Sequence, residues 1–440
     1  MNFKSLLPLI VFIAVFLGSG IISGDFYALP APIAVFAGII TAFILFFRNG
    51  IHQNIENFIR GCGNENIVMM CLIVLLCGAF SKVTTAIGAT ETVVHLAQSY
   101  LSPRFLYAGV FILASFLSFS SGTSVGAIST LTPIVAGFVQ LEGIDTALIA
   151  ASLLSGAMFG DNLSIISDTT IVATQSQGCS MKDKFRTNSR MAFPASILTV
   201  IILMLLGFYL HPNQSGVLVD NITIQWLKIL PYLFVITMAL AGVNVFITLF
   251  LGVVFAGAIG GYEGLTLMEF LNISYDGFNA MTDVFLVFFL TGGLAYMVEK
   301  QGGIEFIIQK MSRFMTSKLR AKIGIASLVA LVDAAVANNT VAIMVSGSVA
   351  KRISERFKIP APHTASILDI ISCIVQGLIP YGAQVLILFK LMQTDINYSE
   401  MVSKAYYLWL LLLISIIYFI KQGQRGVREG QRGSETHSLG

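Results

Sequence analysis

Residues 160–170 read GDNLSIISDTT. Two carboxylates, an amide and several hydroxyls stand here inside a long apolar region. The chain has 440 residues, of which 56% are hydrophobic and only 11% charged. A soluble domain carries about 25% charged residues. Mean hydropathy is +0.83, and apolar runs of about 20 residues recur along the chain, enough to cross a bilayer as helices. The chain therefore reads as an all-α integral membrane protein, and 160–170 as the interruption of a span. The polar stretches between runs are too short for a separate soluble domain. The first run, in MNFKSLLPLIVFIAVFLGSGII, lacks an A-x-A cleavage site and reads as a retained helix.

Working outward, the chain repeats itself. Gly78 and Gly292 are 214 apart, as are Gly88 and Gly302, Glu91 and Glu305, and ASLL at 151–154 against ASIL at 365–368. A small gap then aligns Gly122-Thr123-Ser124 with Asn338-Asn339-Thr340 at an offset of 216. Apolar segments near 6–22, 30–47 and 67–86, arms 105–120 and 125–139, an interrupted segment 146–176 and a run at 192–210 make the first half. Their counterparts are 229–242, 244–261, 282–298, arms 323–337 and 341–352, 364–392 and 404–420. An arm of about 15 residues reaches roughly 23 Å, short of the roughly 30 Å hydrocarbon core. Each pair of arms thus reads as a re-entrant hairpin with a polar tip at mid-membrane.

Charge supplies the orientation. Stretches 178–190, 299–322 and 351–358 and the tail are rich in Lys and Arg, and are expected in the cytoplasm. The repeat partners of the first three, near 392–404, 85–108 and 140–145, lack that excess, Glu142 and Asp145 marking the last. Stretch 262–283 has four acids and no Lys or Arg. An odd number of crossings per half requires the same inversion. The expectation is two inverted repeats, 1–215 and 216–421, each with five transmembrane helices plus a re-entrant helical hairpin. Broken helices lie at the midplane, both termini are cytoplasmic, and an unstructured tail covers 422–440. Secondary transporters are built this way, with binding near the midplane.

Four polar stretches then share membrane depth: the tips SFSSGTSVG (118–126) and DAAVANNT (333–340), and the breaks GDNLSIISDTT and DIISCIVQGLIPYGAQ (369–384). Irregular backbone survives there only when buried in protein or lining a wet cavity. Hydroxyl, amide and carbonyl oxygens suit a hard cation such as Na⁺, and helix N-termini can face an anion. Gly122, Gly160, Gly377, Pro380 and Gly382 are expected to permit the breaks. A charge at the bilayer centre costs about 2.5–3.5 kcal/mol, so Asp161, Asp168, Asp333 and Asp369 are read as functional and as proton-coupling candidates. The structural alternative is helix capping for Asp161 and Asp168, a place nearer the cytoplasmic edge for Asp333, and an N-cap or a hydrogen bond between helices for Asp369. Glu91 and Glu305 read as solvated. The five cysteines read as free thiols, and five scattered histidines suggest no metal cluster. No P-loop, GxSxG or HExxH occurs, no nucleophile–base pair is visible, and no basic patch faces an aromatic array. Neither an enzyme nor a nucleic-acid partner is indicated.

These motifs resemble the NhaC-type Na⁺/H⁺ antiporters. GDNLSIISDTT is similar to that family's GD-(K/N)-x-S-x-x-SDTT signature, and SGTSVGAISTLTPI, ANNTVAIMVSG and IPYGAQ fit it too, over roughly 65–400. The chain departs at Ile165, where many members have proline, and in its short YGAQ run. The resemblance implies paired hairpin tips that bind Na⁺, in a domain that moves as an elevator. It makes Ser121, Gly122, Thr123, Ser124, Asn338, Asn339 and Thr340 tip residues. Asp161, Asn162, Ser164, Ser167, Asp168 and Thr169 line the first break, and Pro380, Tyr381, Gly382 and Gln384 the second. Na⁺ is assigned to Thr123, Asn162, Asn339 and Thr340. The leading expectation is a Na⁺/H⁺ antiporter of a prokaryotic inner membrane, with no cofactor beyond its transported ions and a scaffold, 6–47 and 229–261, able to form a homodimer. The alternative is a Na⁺-coupled carrier of an amino acid or carboxylate. The sequence places no Lys or Arg at membrane depth to pair with such an anion, which leans toward a bare cation.

Overall fold

The computed structural model describes residues 3–23, 28–93, 102–141, 143–165, 167–211, 225–303, 306, 315–392 and 394–437, with side chains as far as 421. Glu142, Glu305 and the tail side chains singled out in the sequence lie outside the described residues. Regular structure among the described residues is helical throughout. The first half runs α1 (Leu7–Ser23), α2 (Ala31–Leu45), α3 (Ile51–Cys62), α4 (Glu65–Ala86), α5 (Pro103–Ser121), α6 (Ser124–Phe138), α7 (Thr146–Leu163), α8 (Asp168–Gln177) and α9 (Met181–Leu210). The second runs α10 (Trp226–Leu240), α11 (Val245–Tyr262), α12 (Leu267–Ala280), α13 (Thr282–Lys300), α14 (Lys318–Val336), α15 (Asn339–Arg356), α16 (Ala361–Leu378), α17 (Ala383–Met392), α18 (Tyr398–Ser403) and α19 (Tyr406–His437). Eight helical segments are long and apolar enough to cross a membrane, and four shorter apolar helices accompany them. The protein is thus a multi-pass integral membrane protein.

Three expectations change. The stretch from 422 expected to be an unstructured tail is helical to His437, as the end of α19. The arms are longer than hydropathy suggests: α5 and α14 each run 19 residues, about 28 Å at helical rise. Arm length therefore does not distinguish a hairpin from a full span. The helices gain length from ends that a hydropathy reading trims, Pro103–Arg104 and Lys318–Lys322 among them. For the same reason the basic stretch 351–358 is mostly the last turns of α15, and the acidic stretch 262–283 holds a helix, α12. That helix opens on a capping box in which Thr266 and Glu269 satisfy each other's backbone N–H groups.

The interrupted segments form the interior. In their most apolar windows, Thr146–Gln177 is 88% and Ala361–Met392 78% inside the molecule, against 39% for Met181–Leu210. A membrane helix buried on all sides must pack closely, and small residues allow it. Gly160 shows this: a Cβ there would lie 2.3 Å from the carbonyl oxygen of Ser115 and 2.6 Å from the backbone nitrogen of Phe119. The glycine that opens the 160–170 motif thus seats α7 against α5 and sits in unbroken helix; it does not make the break. The second part of each broken segment packs on a helix of the other half, α8 on α15 and α17 on α6.

Polar contacts between distant loops sort into two groups. Lys404 pairs with Asp145 and, at 2.7 Å, with Glu400, while Lys390 pairs with Asp283 at 2.9 Å. Burial pulls the Lys404 ammonium down, but its bonds to Asp145 and Glu400 outweigh this and hold it above its ordinary value. These contacts join 140–145 to 392–404, and 262–283 to the end of α17. Separately, Arg190 reaches the Tyr418 hydroxyl at 3.5 Å, and Lys322 lies 5.5 Å from the Phe419 ring centre. The five cysteines are free.

Candidate functional site

Two helix tips share one backbone design. After α5, Gly122 turns left-handed (φ 73°) and Thr123 is extended (φ −151°) before α6 begins. After α14, Ala337 turns left-handed (φ 51°) and Asn338 is extended (φ −150°) before α15 begins. Thr123 and Asn338 are the N-caps: the Gly126 N–H donates to Thr123 Oγ1 at 3.4 Å and the Val341 N–H to Asn338 Oδ1 at 3.0 Å. The structural equivalence is therefore Gly122 with Ala337, Thr123 with Asn338 and Ser124 with Asn339. The sequence alignment is off by one residue. It matched a polar triplet to a polar triplet, whereas the backbone matches left-handed turn to left-handed turn.

The first break lies between α7 and α8. Ser164 ends α7 in extended conformation, and its hydroxyl donates to the carbonyl of Phe119 at 2.8 Å. Ser167 is the N-cap of α8, yet its hydroxyl caps nothing. It donates to Asp161 Oδ1 at 2.5 Å and lies 2.9 Å from Thr169 Oγ1. Ser124, first residue of α6, donates to Asp161 Oδ2 at 2.7 Å. Tip and break thus brace one buried carboxylate from both sides. The second break, 379–382, joins the same network. Gln384 donates to Ser124 Oγ at 3.0 Å, and Gln376 donates to Gln384 Oε1 at 3.0 Å and to the Ala337 carbonyl at 3.1 Å. A hydrogen-bonded path therefore runs from the second tip to Asp161.

The four acids have four different environments. Asp161 accepts from two hydroxyls. Asp369 lies 2.6 Å from Lys184 Nζ, with each side chain 1% exposed, and also accepts from Asn188 at 2.8 Å and Asn162 at 3.2 Å. Asp168, the first residue of α8, is exposed to a cavity. Asp333 is fully buried, and neither carboxylate oxygen has a hydrogen-bond partner.

Lys184 corrects the sequence reading. Its stretch reads as a solvated basic loop, but Lys184 lies in the first turn of α9 and turns inward, donating to Thr170 Oγ1 at 2.6 Å and to the Asn162 carbonyl at 3.1 Å. A lysine therefore does sit buried against one of the four acids. Asn188, one turn on, is buried and binds Asn162, Asp369 and Ser366. The signal was available: Lys184 and Asn188 share the helix face of Met191, Ala192 and Ala195, all buried. Gln376 was likewise missed.

A cavity of about 330 Å³ lies where the tips meet. Ser121, Gly122 and Thr123 line it from the first tip, Asn338 and Thr340 from the second, and Asp168 from the first break. Of the four residues assigned to Na⁺, Thr123 and Thr340 face this cavity. Asn162 lies in the Lys184–Asp369 cluster, and Asn339 Oδ1 accepts from the Thr340 N–H at 3.0 Å. Tyr381 donates to the Ala334 carbonyl at 2.7 Å and packs edge-on to Phe12 and Phe16. Pro380 and Gly382 shape the second break, where the Gly382 N–H donates to the Ile379 carbonyl at 3.1 Å. Glu91 is exposed, as expected.

Comparison with known proteins gives these residues a context. The model of the Na⁺/H⁺ antiporter family matches residues 2–208 and 215–423. The malate-2H⁺/Na⁺-lactate antiporter of Bacillus subtilis is 26% identical over 71% of this chain and 73% of its own. The Na⁺/H⁺ antiporter NhaC of the same organism is 23% identical over 85% and 87%. NhaC of Alkalihalophilus pseudofirmus is 21% identical over 84% of each chain.

Proposed function

The chain belongs to the Na⁺/H⁺ antiporter family, and on that premise we propose that this secondary transporter exchanges cytoplasmic Na⁺ for external H⁺ by alternating access. The observation that carries the reading is Asp161, a buried carboxylate braced by the Ser124 and Ser167 hydroxyls. Carboxylate and hydroxyl oxygens are the ligand types a hard cation prefers. Ser124 and Ser167 belong to separate helices, α6 and the start of α8, so relative movement of the two would open or close the site. The cavity beside it gives the ion its approach, with Thr123, Thr340 and Asp168 on the way. Lys184 neutralises Asp369, which leaves Asp161 and Asp168 as the negative charges a cation meets.

The inverted-repeat topology belongs to this proposal. Loops assigned outside by charge are joined by Lys404–Asp145, with the end of α17 joined to another by Lys390–Asp283, and two basic stretches assigned inside each reach the end of the last apolar run, at Arg190–Tyr418 and Lys322–Phe419. That sorting supports repeats 1–215 and 216–421 of opposite orientation, re-entrant tips and cytoplasmic termini. A homodimer through the helices at 6–47 and 229–261 completes the picture.

A second reading is favoured by the cavity itself. At about 330 Å³ it is about ten times the roughly 30 Å³ of one water. The N-termini of α6 and α15 face it, and helix N-termini favour a carboxylate. A Na⁺-coupled organic anion or amino acid would fit that field, and one relative is named for malate and lactate. Proteoliposomes with an imposed pH gradient and a pH-sensitive dye separate the two. Antiport predicts collapse of the gradient on adding Na⁺ alone, absent with choline. Response only when malate, lactate or an amino acid accompanies Na⁺ selects the second reading.

A further inference from the structure

We infer that proton and cation occupy different carboxylates: Asp333 holds the proton, and Asp161 the cation. The inference rests on the antiporter reading and adds to it which acid carries H⁺. Asp161 and Asp369 are each met by donors, two hydroxyls for one and an ammonium with two amides for the other. Those are environments for ionised carboxylates. Asp333 has neither. Its side chain is 0% exposed and both oxygens are without a donor. An isolated buried carboxylate is so costly that it neutralises instead. The group in that pocket is a carboxylic acid.

The surroundings agree. Helix α14 packs against α13, α15, α16 and α19. No charged side chain of those helices pairs with Asp333 among the described residues. The titratable groups close enough to interact with it are Cys373 of α16 and Tyr381 of the second break. Tyr381 donates to the carbonyl of Ala334, the next residue along. When Asp333 releases H⁺ and becomes a carboxylate, a turn of the Tyr381 hydroxyl from Ala334 would supply the missing hydrogen bond. Tyr381 lies three residues before Gln384, which holds Ser124 on Asp161. Deprotonation at Asp333 would thus pull on the segment that supports the cation site. Tyr381 is a positioning residue in this scheme.

The test uses the full-length protein, reconstituted, as wild type, Asp333→Asn, Tyr381→Phe and Asp161→Asn. Asparagine mimics the neutral acid in shape, so Asp333→Asn should fold. Infrared spectra should show a carboxylic-acid C=O band in the wild type that Asp333→Asn lacks and that weakens when Na⁺ is added. Apparent Na⁺ affinity should weaken by up to about tenfold per pH unit as pH falls in the wild type. That slope should vanish in Asp333→Asn, which mimics the protonated acid and should show, at every pH, the weak Na⁺ affinity that the wild type reaches only in acid, while moving no H⁺. Tyr381→Phe should flatten the slope in part, and Asp161→Asn should lose Na⁺ binding. Identical infrared spectra for wild type and Asp333→Asn overturn the inference, as does an unchanged pH slope in Asp333→Asn. Na⁺ binding by Asp333→Asn weaker than the wild type's low-pH limit overturns it too, by making Asp333 a cation ligand. If the wild type neither binds nor moves Na⁺, the antiporter reading fails, and the infrared band alone still decides whether Asp333 holds a proton.

Discussion

Replacing Lys184 with methionine tests the interior most sharply. The ammonium contacts Asp369 at 2.6 Å, Thr170 at 2.6 Å and the Asn162 carbonyl at 3.1 Å, with both charged side chains 1% exposed. Removing one partner of a buried pair leaves an uncompensated charge and costs about 3–5 kcal/mol. The Asn162 and Asn188 amides would still reach Asp369, which favours the lower end of that range. Lys184→Met with Asp369→Asn removes both charges, so its cost should be about 1–2 kcal/mol. Either single change alone should therefore be worse than the pair together, a coupling of about 2 kcal/mol or more. The protein supplies its own reporter: Cys62, Cys71, Cys77 and Cys373 are buried free thiols that unfolding exposes to a thiol-reactive dye. Melting the purified variants in one detergent gives the cycle. A Lys184→Met cost near 0.5 kcal/mol, the size of a surface change, or strictly additive effects, would refute the buried pair.

Gly160→Ala should destabilise by about 1–3 kcal/mol through overpacking, because its Cβ would meet the Ser115 carbonyl at 2.3 Å; the same melting assay reads it. Ser124→Ala and Ser167→Ala each delete a hydroxyl donor to Asp161, worth about 1.5–3 kcal/mol for a bond to a charged group, and each should weaken Na⁺ binding by about tenfold or more in calorimetry. Thr123→Ala removes the α6 cap and should cost about 1 kcal/mol, whereas Thr123→Ser should preserve both stability and binding. Glu269 is held below its ordinary value by the backbone and hydroxyl of Thr266. A depressed carboxyl stabilises above its unfolded value and loses that contribution as pH falls through the folded one. The first turn of α12 should therefore exchange amides faster in acid, relative to Glu269→Gln at each pH.

Much of this was legible in the sequence because a bilayer enforces simple rules. Apolar runs located the helices, and polar residues at membrane depth located both tips and both breaks, including Asp161 with its Ser124 and Ser167. Glycine after α5 signalled the left-handed turn at 122. The matching turn at Ala337 carried no such signal, since alanine rarely adopts that conformation, and the tip alignment slipped by one residue in consequence. Lys184 escaped because charge counting treats every lysine near a span as solvated, although its helix face was apolar. What composition could not separate was the state of the four acids. Hydroxyl donors at Asp161, an ammonium at Asp369, an open cavity at Asp168 and bare surroundings at Asp333 are facts of packing between distant segments, and no local pattern encodes them.

The central claim is that Na⁺ moves through this protein at Asp161 in exchange for H⁺. The direct measurement is radioactive Na⁺ flux across proteoliposomes, driven by an imposed pH gradient with membrane potential clamped. The account predicts uphill Na⁺ movement by the wild type and none by Asp161→Asn, with no organic solute present. A folded wild type that moves no Na⁺ under the gradient, or an Asp161→Asn protein that moves it equally well, would contradict it.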